Sequence, residues 1–198
     1  MVKFSDSMFA PYNERWCRGR TVRTVRTVDR PDEMFWSTLR APFGVLTVVA
    51  GQRGLRAVHI GGPDTLEDGL RAAVESGPRH ATLAAPLAGL REYLAGTRTG
   101  FDLRLDLRGT PFQVEVWRSL SRVPYGRTAT YADQARSIGR PKAVRAVGSA
   151  NGRNPVPIVL PCHRIVASDG TLGGYSGGLQ VKEWLLAHEQ RGTKGARR

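Results

Sequence analysis

Cysteine is nearly absent: the 198 residues contain two, Cys17 and Cys162. Two thiols cannot build a disulfide framework, and they fall two ligands short of a four-cysteine zinc site. His59 and His80 have no other ligand at metal spacing, so no metal and no cofactor are expected. Long apolar runs are missing as well. No stretch approaches the length of a membrane span, and the opening MVKFSDSMFAPYNERW has no apolar core of a secretion signal. A reducing, cytoplasmic setting without membrane contact is the expectation.

Acidic residues are the third scarcity, at 17 Asp and Glu against 30 Lys and Arg, a formal net charge of +13. The excess is not spread evenly. Residues 1–33 hold seven basic against five acidic side chains and residues 34–107 hold eight against seven, whereas residues 108–198 hold fifteen against five. A concentrated excess suits a polyanion, nucleic acid first among them, although many basic domains bind nothing of the kind.

With 40% apolar residues the chain is globular and long enough for one or two domains. Residues 1–33 have no clean apolar period, and their Arg20–Val28 (RTVRTVRTV) is a short repeat. They read as a basic, poorly ordered or alternative-start extension. Phe35–Leu39, Val45–Ala50 and Leu55–Ile60 are short strands divided by turn signals, an antiparallel meander. Thr65–Glu75 and Ala81–Leu94 carry helical spacing, and Leu103, Leu105 and Leu107 alternate as in a half-buried strand. A small α+β domain over 34–107 follows.

The region 108–198 reads differently. Thr110-Pro111 opens a helix, Thr130 caps a second from Tyr131 to about Ile138, and a third runs from Pro141 to about Ala150. Two short helices separated by Gly139-Arg140-Pro141, the second bearing Lys142 and Arg145, look like a helix-turn-helix. Beyond them lie a turn at Ser168–Gly170, a glycine-rich loop over 173–178 and a closing amphipathic helix from Leu179 to Gln190. The loop lacks the Lys-Ser/Thr ending of a phosphate cradle and suits a lid over a pocket.

Cys162 stands in VLPCHRIV, between a proline and a His-Arg pair. A thiol reacts as thiolate, and a histidine oriented by a carboxylate is the general means of making one. His163 and Arg164 adjoin it, and the closing helix offers His188 and Glu189. Neighbours in an extended chain point to opposite faces, so His163 needs a turn or a water to serve Cys162. Pro161 can provide the turn. A buried, inert cysteine is the plain alternative, and it is the reading given to Cys17.

These residues closely resemble the O6-alkylguanine-DNA alkyltransferases. The resemblance is carried by Pro161-Cys162-His163-Arg164, by Asn154-Pro155-Val156-Pro157 before it, and by Gly173–Gly178 and Lys182–Glu189 after it. Val123–Gly126, Thr130-Tyr131 and Arg145–Gly148 follow the same order upstream. It is strong over 108–190, looser over the N-terminal domain, and absent from 1–33.

The resemblance implies an RNase H-like N-terminal α+β domain and a mostly helical, winged-helix-like C-terminal one. It implies a DNA repair protein that flips O6-alkylguanine out of duplex DNA and moves the alkyl group to Cys162 once, irreversibly. His163, through a water, and Glu189 would make the thiolate, and Asn154 would order that network. Tyr131 would protonate the departing guanine, and Arg145 would fill the gap left by the flipped nucleotide. Arg140, Lys142, Ser168 and Tyr131 would contact DNA, while Val156, Pro157, Val159, Gly173, Tyr175 and Ser176 would line the pocket and its lid. The partner implied is double-stranded DNA carrying O6-alkylguanine, met by a monomer of which several copies can share one DNA. A DNA-binding module without chemistry explains the helix pair alone, and a cysteine hydrolase explains the thiol alone.

Overall fold

A computed structural model describes residues 33–195. The extension expected over 1–33, with its repeat and Cys17, lies outside the described residues apart from Glu33. The meander forms as its alternation predicts: β1 (Met34–Ala41), β2 (Gly44–Gly51) and β3 (Gly54–Ile60) pair antiparallel in sequence order. The middle strand is covered on both faces. Leu46, Val48 and Ala50 belong to the main core, whereas Val49 packs with Ala57, Leu66 and Ala73 on the other side.

Helix α2 (Ala81–Leu94) covers the first face with Leu83, Leu87, Leu90 and Tyr93, all fully buried. Area alone makes each such leucine worth about 2 kcal/mol. Over Thr65–Glu75 the structure departs from the expected helix. A 3₁₀ turn at Pro63–Thr65, a single turn α1 (Asp68–Arg71) and a short strand β4 (Val74–Glu75) take its place. The anchored Leu66 and Ala73 and the central Gly69 leave too few residues for a stable helix, and β4 instead pairs parallel with β1. Leu103, Leu105 and Leu107 do face the core, but only Leu105 bridges to Leu55. The edge of β3 is shared: Leu55 bonds the 104–106 segment, and Val58 N–H donates to Pro155 O at 2.9 Å.

Both expected N-caps are present as capping boxes. Thr110 with Gln113 opens α3 (Pro111–Ser119), and Thr130 with Asp133 opens α4 (Tyr131–Ser137). Helix α5 (Val144–Asn151) starts three residues later than expected, because Arg140–Ala143 is a turn closed by Ala143 N–H on Arg140 O. The three helices share Val116, Ala135, Val147 and Ala150, and a buried pair joins Gln134 to Asn151. Two-residue strands β5 (Ala129–Thr130) and β6 (Ile165–Val166) pair in parallel, which brings the start of α4 beside the segment following Cys162. Helix α6 (Leu179–Gly195) closes the chain. One core runs through both halves, joining Leu46, Leu87 and Tyr93 to Val156, Ile158, Ile165 and Leu185. Among the described residues no helix is long and apolar enough to cross a membrane, and no group of three or more His, Cys, Asp or Glu could hold a metal.

Candidate active site

The turn before Cys162 is held by one side chain. Asn154 accepts Val156 N–H on Oδ1 at 3.1 Å, and its Nδ2 donates to Leu160 O at 2.7 Å and to Cys162 Sγ at 3.2 Å. Leu160 N–H closes the loop on Val156 O. Inside it, Ile158 has φ 73°, the one positive value outside glycine among the described residues. A β-branched residue there costs about 1–3 kcal/mol, so the surrounding bonds must over-determine the turn. Pro161 then leads into a 3₁₀ turn, Cys162–Arg164. That turn removes the extended alternation that would have separated the Cys162 and His163 side chains.

His163 is fully buried, and its Nε2 lies 2.8 Å from Glu189 Oε1. Glu189, equally buried on α6, takes donors on both oxygens. Oε1 receives Tyr93 O–H at 2.7 Å and Arg164 Nη2 at 2.9 Å, and Oε2 receives Arg164 Nε at 3.0 Å and Gly126 N–H at 2.9 Å. Burial works to raise the Glu189 pKa, but the bonds and charges of His163 and Arg164 outweigh it and bring it to about 2. The carboxylate is therefore acceptor-only, and His163 must carry its proton on Nε2. Burial also lowers the His163 pKa and keeps the ring neutral. What remains is an Nδ1 lone pair, buried and without a protein partner. That atom is a base waiting for a proton.

The thiol itself is 4% exposed. Burial pushes its pKa up to about 11, against the Asn154 bond and the Lys182 charge. At rest Cys162 is thus a thiol, not the activated thiolate its neighbours suggest, and no hydrogen bond joins it directly to the His163 ring.

Around the thiol, Tyr131 at the start of α4 points its hydroxyl at Gly174 O, 3.5 Å away. Burial and then the charge Cys162 would carry raise its pKa, so the phenol stays protonated. Gly173 has φ +64°, and a Cβ there would lie 2.9 Å from the Tyr131 hydroxyl, so only glycine lets the loop approach. Tyr175 is half-buried in this loop, its hydroxyl unpartnered, and Ser176 is exposed. Lys182, fully buried, ties the loop down by donating to Ile165 O and Leu172 O. Val156 and Pro157 are buried and Val159 half-buried. Pro157 and Ser176 also line a cleft of about 570 Å³ that reaches Val58 and Ile60 on β3.

The remaining residues singled out from the sequence lie on the surface. Arg145 and Lys142 are exposed at the α5 end, and Ser168 is exposed in its turn. Arg140 is engaged, bonding Glu115 at 3.1 Å and lying over the Phe112 ring. Three central residues were missed by sequence reasoning in these roles: Tyr93, Arg164 as the counter-ion of Glu189, and Lys182. For Lys182 a signal existed, since Lys182, Leu185 and Glu189 share one helical face.

A hidden thiol and a neutral histidine held on a carboxylate share one scaffold with a helix pair that exposes Lys142 and Arg145. Comparison with known proteins gives the family. Residues 34–107 match the 6-O-methylguanine DNA methyltransferase ribonuclease-like domain, and residues 111–191 match the DNA binding domain of the same enzymes. The methylated-DNA–protein-cysteine methyltransferase of Mycolicibacterium paratuberculosis is 43% identical over 156 residues, 79% of this chain and 92% of the relative. That of Methanosarcina barkeri is 38% identical over 163 residues, 81% of this chain and all of the relative. The solved structure of Mycobacterium tuberculosis OGT in complex with DNA superposes with a TM-score of 0.70 at 39% identity, covering 80% of this chain and 94% of that one. The chain belongs to the methylated-DNA–protein-cysteine methyltransferase family, an N-terminal sheet domain followed by a helical DNA-binding one.

Proposed function

We propose that the protein repairs duplex DNA by flipping O6-alkylguanine into the pocket beside Cys162 and moving the alkyl group to its own sulfur, once per molecule. The observation that carries this reading is the covered thiol held by Asn154 next to a neutral His163 whose Nε2–H is fixed on Glu189. The Cys162 proton passes through a water to His163 Nδ1. Sγ then forms a bond to the alkyl carbon as the carbon–O6 bond breaks, and Tyr131 gives a proton to the departing guanine. The imidazolium proton replaces the one lost by Tyr131, so charge and protons balance. The product is a thioether with no route back, which makes the transfer stoichiometric. Fifteen basic against five acidic side chains in residues 108–198 support a phosphate-tracking surface.

Incubation with O6-methylguanine DNA followed by peptide mass measurement tests the reaction. The added methyl is expected on Cys162 alone, and its absence there would sink the proposal.

Arg145 is read as the side chain that occupies the vacated stack. Extruding a base costs a few kcal/mol, of which an inserted arginine offsets a part. Arg145→Ala is therefore expected to slow repair in duplex DNA by about ten- to thirty-fold. Reaction with free O6-benzylguanine, which needs no extrusion, should change far less. Equal losses on both substrates would assign Arg145 to the fold or the pocket instead.

A further inference from the structure

We infer that Tyr93 is a positioning residue for alkyl transfer: from α2, in the N-terminal half, its hydroxyl holds the same Glu189 oxygen that holds His163 and so sets how readily His163 takes the thiol proton. This rests on the reading of Cys162 as the alkyl acceptor.

The geometry is close and fixed. Tyr93 is fully buried, its O–H donates to Glu189 Oε1 at 2.7 Å, and its oxygen lies 3.5 Å from His163 Nε2. Its backbone carbonyl accepts from His188 Nε2 at 2.7 Å. Two successive residues of α6 thus grip one residue of α2. Phe101, Tyr125 and His188 crowd the ring at centroid distances of 5.7, 6.1 and 5.4 Å, which leaves it no room to swing away. A residue that only filled this core would need no hydroxyl.

Three donors converge on Glu189 Oε1, from Tyr93, His163 and Arg164. Donors that share one acceptor weaken one another. With the phenol bonded, Oε1 holds His163 Nε2–H less strongly and the imidazolium is less favoured. The ring stays neutral, with its Nδ1 lone pair free to receive a proton. Removing the hydroxyl returns that acceptor capacity to His163 and favours its charged form. The other groups facing the pair are Arg164 from the 3₁₀ turn, Lys182 and His188 from α6, and Tyr125 and the Gly126 N–H before β5. A Tyr93→Phe change alters the charge of none of them.

The test uses the full chain and two readouts. One is the single-turnover rate with free O6-benzylguanine as a function of pH, and the other is the titration of the His163 ring followed by NMR in unreacted protein. In Tyr93→Phe the acid-side midpoint of both curves is expected to rise by about one pH unit, the size of one hydrogen bond to a charged group. A stronger phenolic donor of the same shape, 2,3-difluorotyrosine at position 93, is expected to move both midpoints down, and it keeps the test open if the phenylalanine variant does not fold. Midpoints that stay fixed while only the melting temperature falls would make Tyr93 a core aromatic and overturn the role. Wild-type protein left unalkylated at Cys162 by mass measurement would overturn the transfer reaction itself, which separates the two failures.

Discussion

Cys162→Ser is expected to bind duplex DNA as the unaltered protein does and to transfer no alkyl group. Attack on a saturated carbon needs a polarisable anion. A serine hydroxyl is too weak an acid for a neutral imidazole to ionise, so the lone pair on His163 Nδ1 has nothing useful to accept. The fold should survive, because a hydroxyl can take the Asn154 donor that now serves Sγ at 3.2 Å, at a cost of about 1–2 kcal/mol for burying it. The exposed Lys142 and Arg145 and the engaged Arg140 belong to other elements, so affinity and its salt dependence should stay within about twofold. Mobility shift and mass measurement on the same preparation check both halves. A methyl group found on any other residue of the variant would remove Cys162 from its role.

Glu189→Ala is expected to cost more stability than any other single change at this site. The carboxylate satisfies donors from Tyr93, His163, Arg164 and Gly126, and alanine would orphan all of them and leave the Arg164 guanidinium buried without its counter-ion. Removing one partner of a buried ion pair costs about 3–5 kcal/mol, out of a total of roughly 5–15. For a chain of this size the melting temperature should fall by about 6–20 °C. The same group makes a pH prediction. Its folded pKa of about 2 lies below the ordinary 4.5, so its stabilising contribution is complete above about 4.5 and drains away as pH falls toward 2. His163, held below its ordinary 6.5, works in the same direction from below that value, because the unfolded chain binds the proton more readily. Glu189→Gln should flatten the lower part of that curve. Denaturation followed as a function of pH measures it, and an alanine variant within about 1 kcal/mol of the unaltered protein would show that the network carries little of the stability.

The parts of this protein legible in its sequence are those encoded locally. Thr110 and Thr130 announce their helices by a cap and a matching residue three places on, and the meander follows from alternation. The Thr65–Glu75 helix failed because Leu66 and Ala73 answer to Val49 and Ala57 across the sheet, a demand that local spacing does not register. Cys162, His163 and Asn154 lie within ten residues, and a turn was enough to bring them together. Tyr93 was opaque for the opposite reason. It closes a leucine-rich helical stripe, where an aromatic reads as filler, and its partners stand 70 and 96 residues away. Arg164 reads in the sequence only as a neighbour of the thiol, and folding turns its guanidinium to Glu189.

The resting state of Cys162 has a consequence for chemical selectivity. With burial pushing its pKa up to about 11, the sulfur is held as the protonated thiol at neutral pH. Peroxides, disulfides and small alkylating agents diffusing past thus meet a sulfur that is both hidden and protonated. Most cysteines kept for chemistry are exposed to such background damage in proportion to their reactivity. In the proposed reaction the two are uncoupled, since the proton would leave only when a base fills the pocket and the relay has an electrophile to serve. A protein that reacts once, as proposed, would thereby be reserved for the lesion.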